Sequence, residues 1–157
     1  MKNGKNSLKL AVTMVSLAAA LLWLTGCDDT SRSDGGGGGG INTGTNAPAS
    51  VAGKTINETI TSGAAPFPSS GTMVLVAGGN SGDTSGNFTI TGSGGATNST
   101  GTYTYSMTDT NTALLTLTDS ASGQVVDQSL VFQTTRSGTF SAAAAGGTET
   151  GTFTTSP

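Results

Sequence analysis

The chain predicts an all-β fold, a small antiparallel meander, with an eight-stranded up-and-down barrel as first choice and an open β-sandwich as second. Three observations lead there. A glycine followed by Thr or Asn and then a large apolar residue recurs at Gly71-Thr72-Met73, Gly86-Asn87-Phe88, Gly101-Thr102-Tyr103, Gly138-Thr139-Phe140 and Gly151-Thr152-Phe153. Residues 102–107 alternate strictly, with Tyr103, Tyr105 and Met107 on one face and hydroxyl residues on the other. Charged residues make up only 10% of the chain, so Thr, Ser, Asn and Gly must supply the polar surface, a composition that favours pleated strands and turns over helices.

The strands are expected at 54–61, 72–78, 86–92, 101–108, 112–118, 124–134, 138–144 and 149–155. The first carries Ile56, Glu58 and Ile60 on one face, the third Phe88 and Ile90, the fifth Ala113, Leu115 and Leu117, and the sixth Leu130 and Phe132. The triplets open the second, third, fourth, seventh and eighth, each glycine being expected to close the turn before its strand. Links such as Asp119 to Gly123 are short and rich in turn-forming residues, which joins antiparallel neighbours. Steps of 15, 15, 37 and 13 residues between triplets are too uneven for a solenoid. Closure solves the edge problem of such a meander, and a barrel of about eight strands has an interior filled by side chains or holding one small ligand. The run from Gly101-Thr-Tyr-Thr-Tyr through Asn111-Thr-Ala-Leu-Leu-Thr-Leu to Ser137-Gly-Thr-Phe and Gly151-Thr-Phe is similar to small Thr- and Gly-rich β-modules of secreted bacterial proteins, a likeness that implies no activity.

Ahead of this domain the chain opens with Lys2, Lys5 and Lys9, then runs apolar from Leu10 to Leu24 with only Thr13 and Ser16 interrupting. Such a run would span about 22 Å as a helix, short of a membrane crossing, and reads as the charged and apolar regions of a signal peptide. Leu24-Thr25-Gly26-Cys27 resembles the lipobox of bacterial lipoproteins, and the resemblance covers residues 1 to about 29. It implies cleavage between Gly26 and Cys27, a diacylglyceryl group on the Cys27 thiol and acylation of the new amino group. One acyl chain holds a protein marginally, whereas two or three make release negligible. Cys27 is the one cysteine in the chain, so no internal disulfide competes for it.

The expected organisation is therefore 1–26 signal peptide, 27–50 lipidated cysteine and flexible tether, and 51–157 all-β domain. The tether includes the unbroken run Gly35 to Gly40 and, as a random coil, reaches about 25 to 30 Å. Poly-glycine just after the lipidated cysteine resembles the tethers of some surface-displayed lipoproteins of Gram-negative bacteria. Asp28 and Asp29 resemble instead the signal that retains enterobacterial lipoproteins in the inner membrane. The periplasmic face of the inner membrane and the outer membrane or cell surface both stay open.

Cleavage leaves 131 of the 157 residues, with three bases (Arg32, Lys54, Arg136) against nine acids, a formal balance of −6. Three scattered bases form no stripe for nucleic acid and add nothing to binding on anionic lipid. With no histidine in the chain and its cysteine acylated, Ser-His-Asp and Cys-His catalysis, histidine or thiolate metal sites and haem ligation are excluded. Lys54 lies one residue too far from Ser50 for a Ser-x-x-Lys nucleophile, and Asp83-Thr84-Ser85 lacks the glycine of an aspartic-protease turn. Gly78-Gly79-Asn80-Ser81-Gly82-Asp83 has the composition of calcium-binding repeats but neither their spacing nor their stacked copies. No Asp-x-Asp spacing supports calcium at Asp109 or Asp119.

Glu58 shares a face with Ile56 and Ile60, so it is either an interior acid with a raised pKa or an outward residue on a loosely packed strand. Tyr103, Tyr105 and Met107 either fill the core or line a ligand pocket, with each buried hydroxyl needing a partner. The leading expectation is a non-enzymatic, membrane-anchored lipoprotein making structural, protein or glycan contacts in the cell envelope, without cofactor or metal. The alternative is a calycin-like carrier of a small apolar ligand inside the barrel. An enzyme ranks third and would require an inward-facing pair of carboxylates.

Overall fold

The computed structural model describes residues Asn46–Pro157; the expected signal peptide (1–26), the lipobox-like Leu24–Cys27 and most of the expected tether (27–50) lie outside the described residues. Eight strands follow one another: β1 Thr55–Gly63, β2 Gly71–Ala77, β3 Ser85–Ser93, β4 Ser99–Asp109, β5 Thr112–Asp119, β6 Val125–Thr134, β7 Ser137–Ala144 and β8 Gly147–Ser156. Each pairs antiparallel with its sequence neighbours, and β8 pairs with β1, so the meander closes as an up-and-down barrel. Closure removes the free edges that a sandwich would leave.

Alternation drives the packing. Along β8 the even positions face out and Glu149, Gly151, Phe153 and Thr155 are buried; along β6 Gln128, Leu130 and Phe132 are buried between exposed neighbours. Threonines and serines cover much of the outer wall, as their fit to a pleated, half-solvated surface requires.

Gly71 opens β2 with φ at +150°, as a turn-closing glycine would, whereas the other four triplet glycines do something else. Gly86, Gly101, Gly138 and Gly151 lie inside β3, β4, β7 and β8, each opposite an aromatic residue of the paired strand. Phe88 faces Gly101 while Tyr103 faces Gly86; Phe140 faces Gly151 while Phe153 faces Gly138. A β-carbon on these glycines would come within 2.9 Å of the Phe88 ring at Gly101, 3.1 Å of Tyr103 at Gly86, 2.7 Å of Phe140 at Gly151 and 2.9 Å of Phe153 at Gly138. Each ring therefore lies close over the glycine it faces, a backbone carbonyl oxygen is nearer still at all four positions, and only hydrogen leaves room. The same reciprocal arrangement occurs in the β3–β4 and β7–β8 hairpins, on opposite sides of the barrel. Phe132 meets Phe153 edge to face, with ring centroids 4.9 Å apart.

One end of the barrel is plugged by the chain that leads into β1. Ala47 and Val51 are buried in the core, the Asn46 and Ala47 amides donate to the Thr110 carbonyl at 3.1 Å each, and Gly53 donates to Ala77 at 2.8 Å. Residues 46–50, tether by composition, thus belong to the folded unit, because Pro48 and its small neighbours fit the opening between the β2–β3 and β4–β5 turns. The opposite end, where β1–β2, β3–β4, β5–β6 and β7–β8 connect, is open.

Candidate functional site

At the open end the barrel holds a cavity of about 380 Å³. Its upper wall comes from the β1–β2 loop at Pro66, Phe67 and Pro68, and from the β3–β4 and β5–β6 loops. Lower down, Met73, Phe88, Ile90, Leu117 and Val126 make an apolar lining around Glu58, Gln128 and Glu149.

Register explains how the polar side chains meet. Gln128 on β6 stands opposite Ala142 on β7, which stands opposite Glu149 on β8, so one row crosses three strands with its smallest side chain in the middle. Glu58 approaches from β1, opposite Met73 of β2 on one side and Phe153 of β8 on the other. A shift in the β1–β8 register between Ile60 and Ser62 leaves Glu149 paired with Gly63, further toward the mouth than Glu58.

All three side chains are buried, at 2% exposure for Glu58 and Gln128 and 3% for Glu149. Gln128 donates its Nε2–H to Glu58 Oε1 in a short hydrogen bond. Glu149 Oε2 is buried with no hydrogen-bond partner, a costly state for a carboxylate oxygen. Burial pushes the Glu58 carboxyl up to about 8 from its ordinary 4.5; the Gln128 hydrogen bond pulls back and the nearby Glu149 adds to the rise. Burial raises Glu149 as well.

The mouth behaves oppositely. Asp119, at the end of β5, accepts from Ser99 Oγ at 2.7 Å, from the Ser122 hydroxyl and amide at 2.7 Å each, and from the Ala121 amide at 3.0 Å. Those bonds, led by Ser99 and then Ser122, lower its pKa to about 2 and keep it ionised. No lysine or arginine lines the cavity; Lys54 and Arg136 line a separate recess at the plugged end. The described residues contain no group of three acids arranged to hold a metal ion.

The tyrosines lie elsewhere. Tyr103 OH donates to the Gly78 carbonyl at 2.8 Å and Tyr105 OH to the Pro48 carbonyl at 2.7 Å, so both partners needed by buried hydroxyls are backbone oxygens near the plug. Burial pushes the Tyr105 phenol up to about 12 and, with the Asp83 charge as a second cause, raises Tyr103 too. Met107 is 39% exposed, and none of the three lines the cavity. Asp83 and Asp109 cap their own turns through Asn80 and Thr110. Glu58 takes the interior orientation of the two that the β1 pattern allowed. Gln128 and Glu149 were not singled out by sequence reasoning, although each shares parity with buried neighbours: Gln128 with Leu130 and Phe132, Glu149 with Phe153.

An apolar chamber with a carboxyl pair and an amide at its foot can take up a ligand that has hydrogen-bond donors at one end and a hydrophobic body at the other. Comparison with known proteins adds no relative: no protein-family model, no curated protein and no solved structure matches this chain.

Proposed function

We propose that the chain is a lipid-anchored, extracytoplasmic binding protein that carries a small ligand in the open end of its barrel. The observation that carries this reading is the chamber itself: about 380 Å³ of space, within the range of small-molecule sites, around a buried Glu149 oxygen that no protein group satisfies. A barrel interior serving only as a core would be filled with apolar side chains, as the plugged end of this one is. The polar foot moves the expected ligand from purely apolar to amphiphilic.

The carboxyl pair that an enzyme would need is present, but binding fits it better. Acid–base catalysis by two carboxyls works through environments that push their pKa values apart, and here burial drives both upward.

Anchoring rests on the lipobox at Leu24–Cys27. Cys27→Ser is expected to abolish palmitate labelling and release the protein from membranes; unchanged retention in the membrane fraction would refute the anchor.

Native mass spectrometry of the full chain, purified from membranes in mild detergent, is expected to show an adduct of metabolite size beyond the acyl chains. Ala142→Phe, which places a ring between Gln128 and Glu149, is expected to lose that adduct while keeping the β-type circular dichroism spectrum. A bare mass for the unaltered chain would favour the envelope-contact reading instead.

A further inference from the structure

We infer that the ligand is a small organic cation, with an ammonium or amidinium head seated against Glu58 and Glu149 and an apolar body along Met73, Phe88 and Ile90. This rests on reading the chamber as a ligand site, and it specifies the chemistry of what enters.

Three independent features converge on positive charge. The foot of the chamber offers acceptors: Gln128 spends an N–H on Glu58, and Glu149 Oε2 faces no donor at all. A ligand bearing several N–H groups on one centre can donate to both carboxyls at once, whereas a carboxylate or phosphate would bring negative charge among three acids with no base to pair it. The second feature is charge. Every ionisable group lining the chamber is an acid, namely Glu58, Asp119 and Glu149, and the two described bases sit at the other end of the barrel. With Asp119 held ionised at the rim, the field at the mouth draws cations and repels anions. The third is the arrangement of the walls. Glu58 and Glu149 are buried beside the apolar side chains of Met73, Phe88 and Ile90, so a cation that reaches them is desolvated together with its partner, the setting in which a charge-assisted hydrogen bond is strongest.

Charge balance gives the reading a signature. In the empty chamber burial favours the neutral acid at Glu58 and shifts Glu149 in the same direction. A monocation needs a carboxylate to pair with, so its seating against Glu58 ionises that acid and expels one H⁺ from Glu58 to solvent as RNH₃⁺ enters. The groups that share the space with Glu58 are Glu149 from β8 and Asp119 from the β5 end, and Asp119 stays charged throughout.

The test uses the full chain in detergent and three probes of matched shape: phenethylamine, 2-phenylethanol and 3-phenylpropionate. Binding is followed by the Met73 methyl resonance and by calorimetry in buffers of different ionisation enthalpy. Phenethylamine is expected to bind at least about tenfold more tightly than the alcohol, and the acid not to bind. Amine affinity should climb as the pH rises toward 8, by at most about tenfold per pH unit, with proton release visible in the calorimetry. Glu149→Gln and, separately, Glu58→Gln should weaken the amine about tenfold and leave the alcohol unchanged; either variant alone is informative if the other does not fold. Equal binding of amine and alcohol, or amine binding without pH dependence in the range where the carboxyls titrate, overturns the cation and leaves the ligand site standing. Failure of all three probes to move the Met73 signal overturns both.

Discussion

Gly151→Ala is expected to cost about 3 kcal/mol of stability, enough to remove much of the margin of a small domain. In an ordinary strand the same change would help, since alanine reduces the conformational freedom of the unfolded chain by about 0.5–1 kcal/mol. Here the methyl group would collide with the Thr59 carbonyl oxygen of β1 and lie 2.7 Å from the Phe140 ring. Relief requires either opening the β1–β8 seam that closes the barrel or turning Phe140 out of the core, and both exceed the entropic gain. Urea denaturation reads the outcome directly. Phe140→Leu in the same chain should recover only the ring's share, so the two changes should be non-additive. A wild-type midpoint for Gly151→Ala would show that the seam relaxes freely and that the aromatic cover over glycine is not a constraint.

That example also marks where the linear sequence stops speaking. Alternation along Tyr103, Tyr105 and Met107, and along Ala113, Leu115 and Leu117, is a property of one strand, and it locates β4 and β5 within a residue or two. Closure follows from strand number and short links. Glycine beside threonine has turn composition, which is all the triplets show locally; at Gly86, Gly101, Gly138 and Gly151 the actual neighbours, a backbone carbonyl and a ring on the paired strand, exist only once register is set. The ends of the barrel are hidden for the same reason. Tyr103 and Glu58 both face inward by parity, yet strand tilt sends the tyrosine to the plug and the acid to the chamber.

The candidate site was legible in one of its three members. Glu58 announces itself between Ile56 and Ile60. Gln128 follows the same parity rule, but its partner is 70 residues away, and no local pattern says which interior amide will meet which interior acid. Glu149 stands at the very start of its expected strand, where an outward, end-of-strand carboxylate is the ordinary outcome. It is buried because the β1–β8 register shift and the adjacent Ala142 admit it to the interior.

Those buried acids make stability itself pH-dependent, and this is the second large effect expected. Glu58 has an ordinary carboxyl pKa near 4.5 in the unfolded chain and about 8 in the barrel, so between those values the folded state holds more of its proton than the unfolded state does. Stability should therefore be greatest near pH 4.5, fall as the pH rises, and level off above about 8, with a slope approaching about 1.4 kcal/mol per pH unit where the difference is one whole proton. Glu149, raised in the same direction, steepens the fall. Asp119 acts in the opposite sense, but its window lies between its ordinary 3.8 and about 2, where its contribution is lost on acidification, so the two effects do not overlap. Urea midpoints at pH 5 and pH 8 should differ clearly in the native chain, and Glu58→Gln should flatten the difference chiefly by gaining stability at pH 8. A native chain equally stable at both values would mean that water or relaxation reaches Glu58 and that the foot of the chamber is not dry. Phenethylamine provides the internal cross-check: a bound cation that lets a carboxyl ionise should restore stability at pH 8 more than at pH 5, linking the folding equilibrium to the chemistry of the chamber.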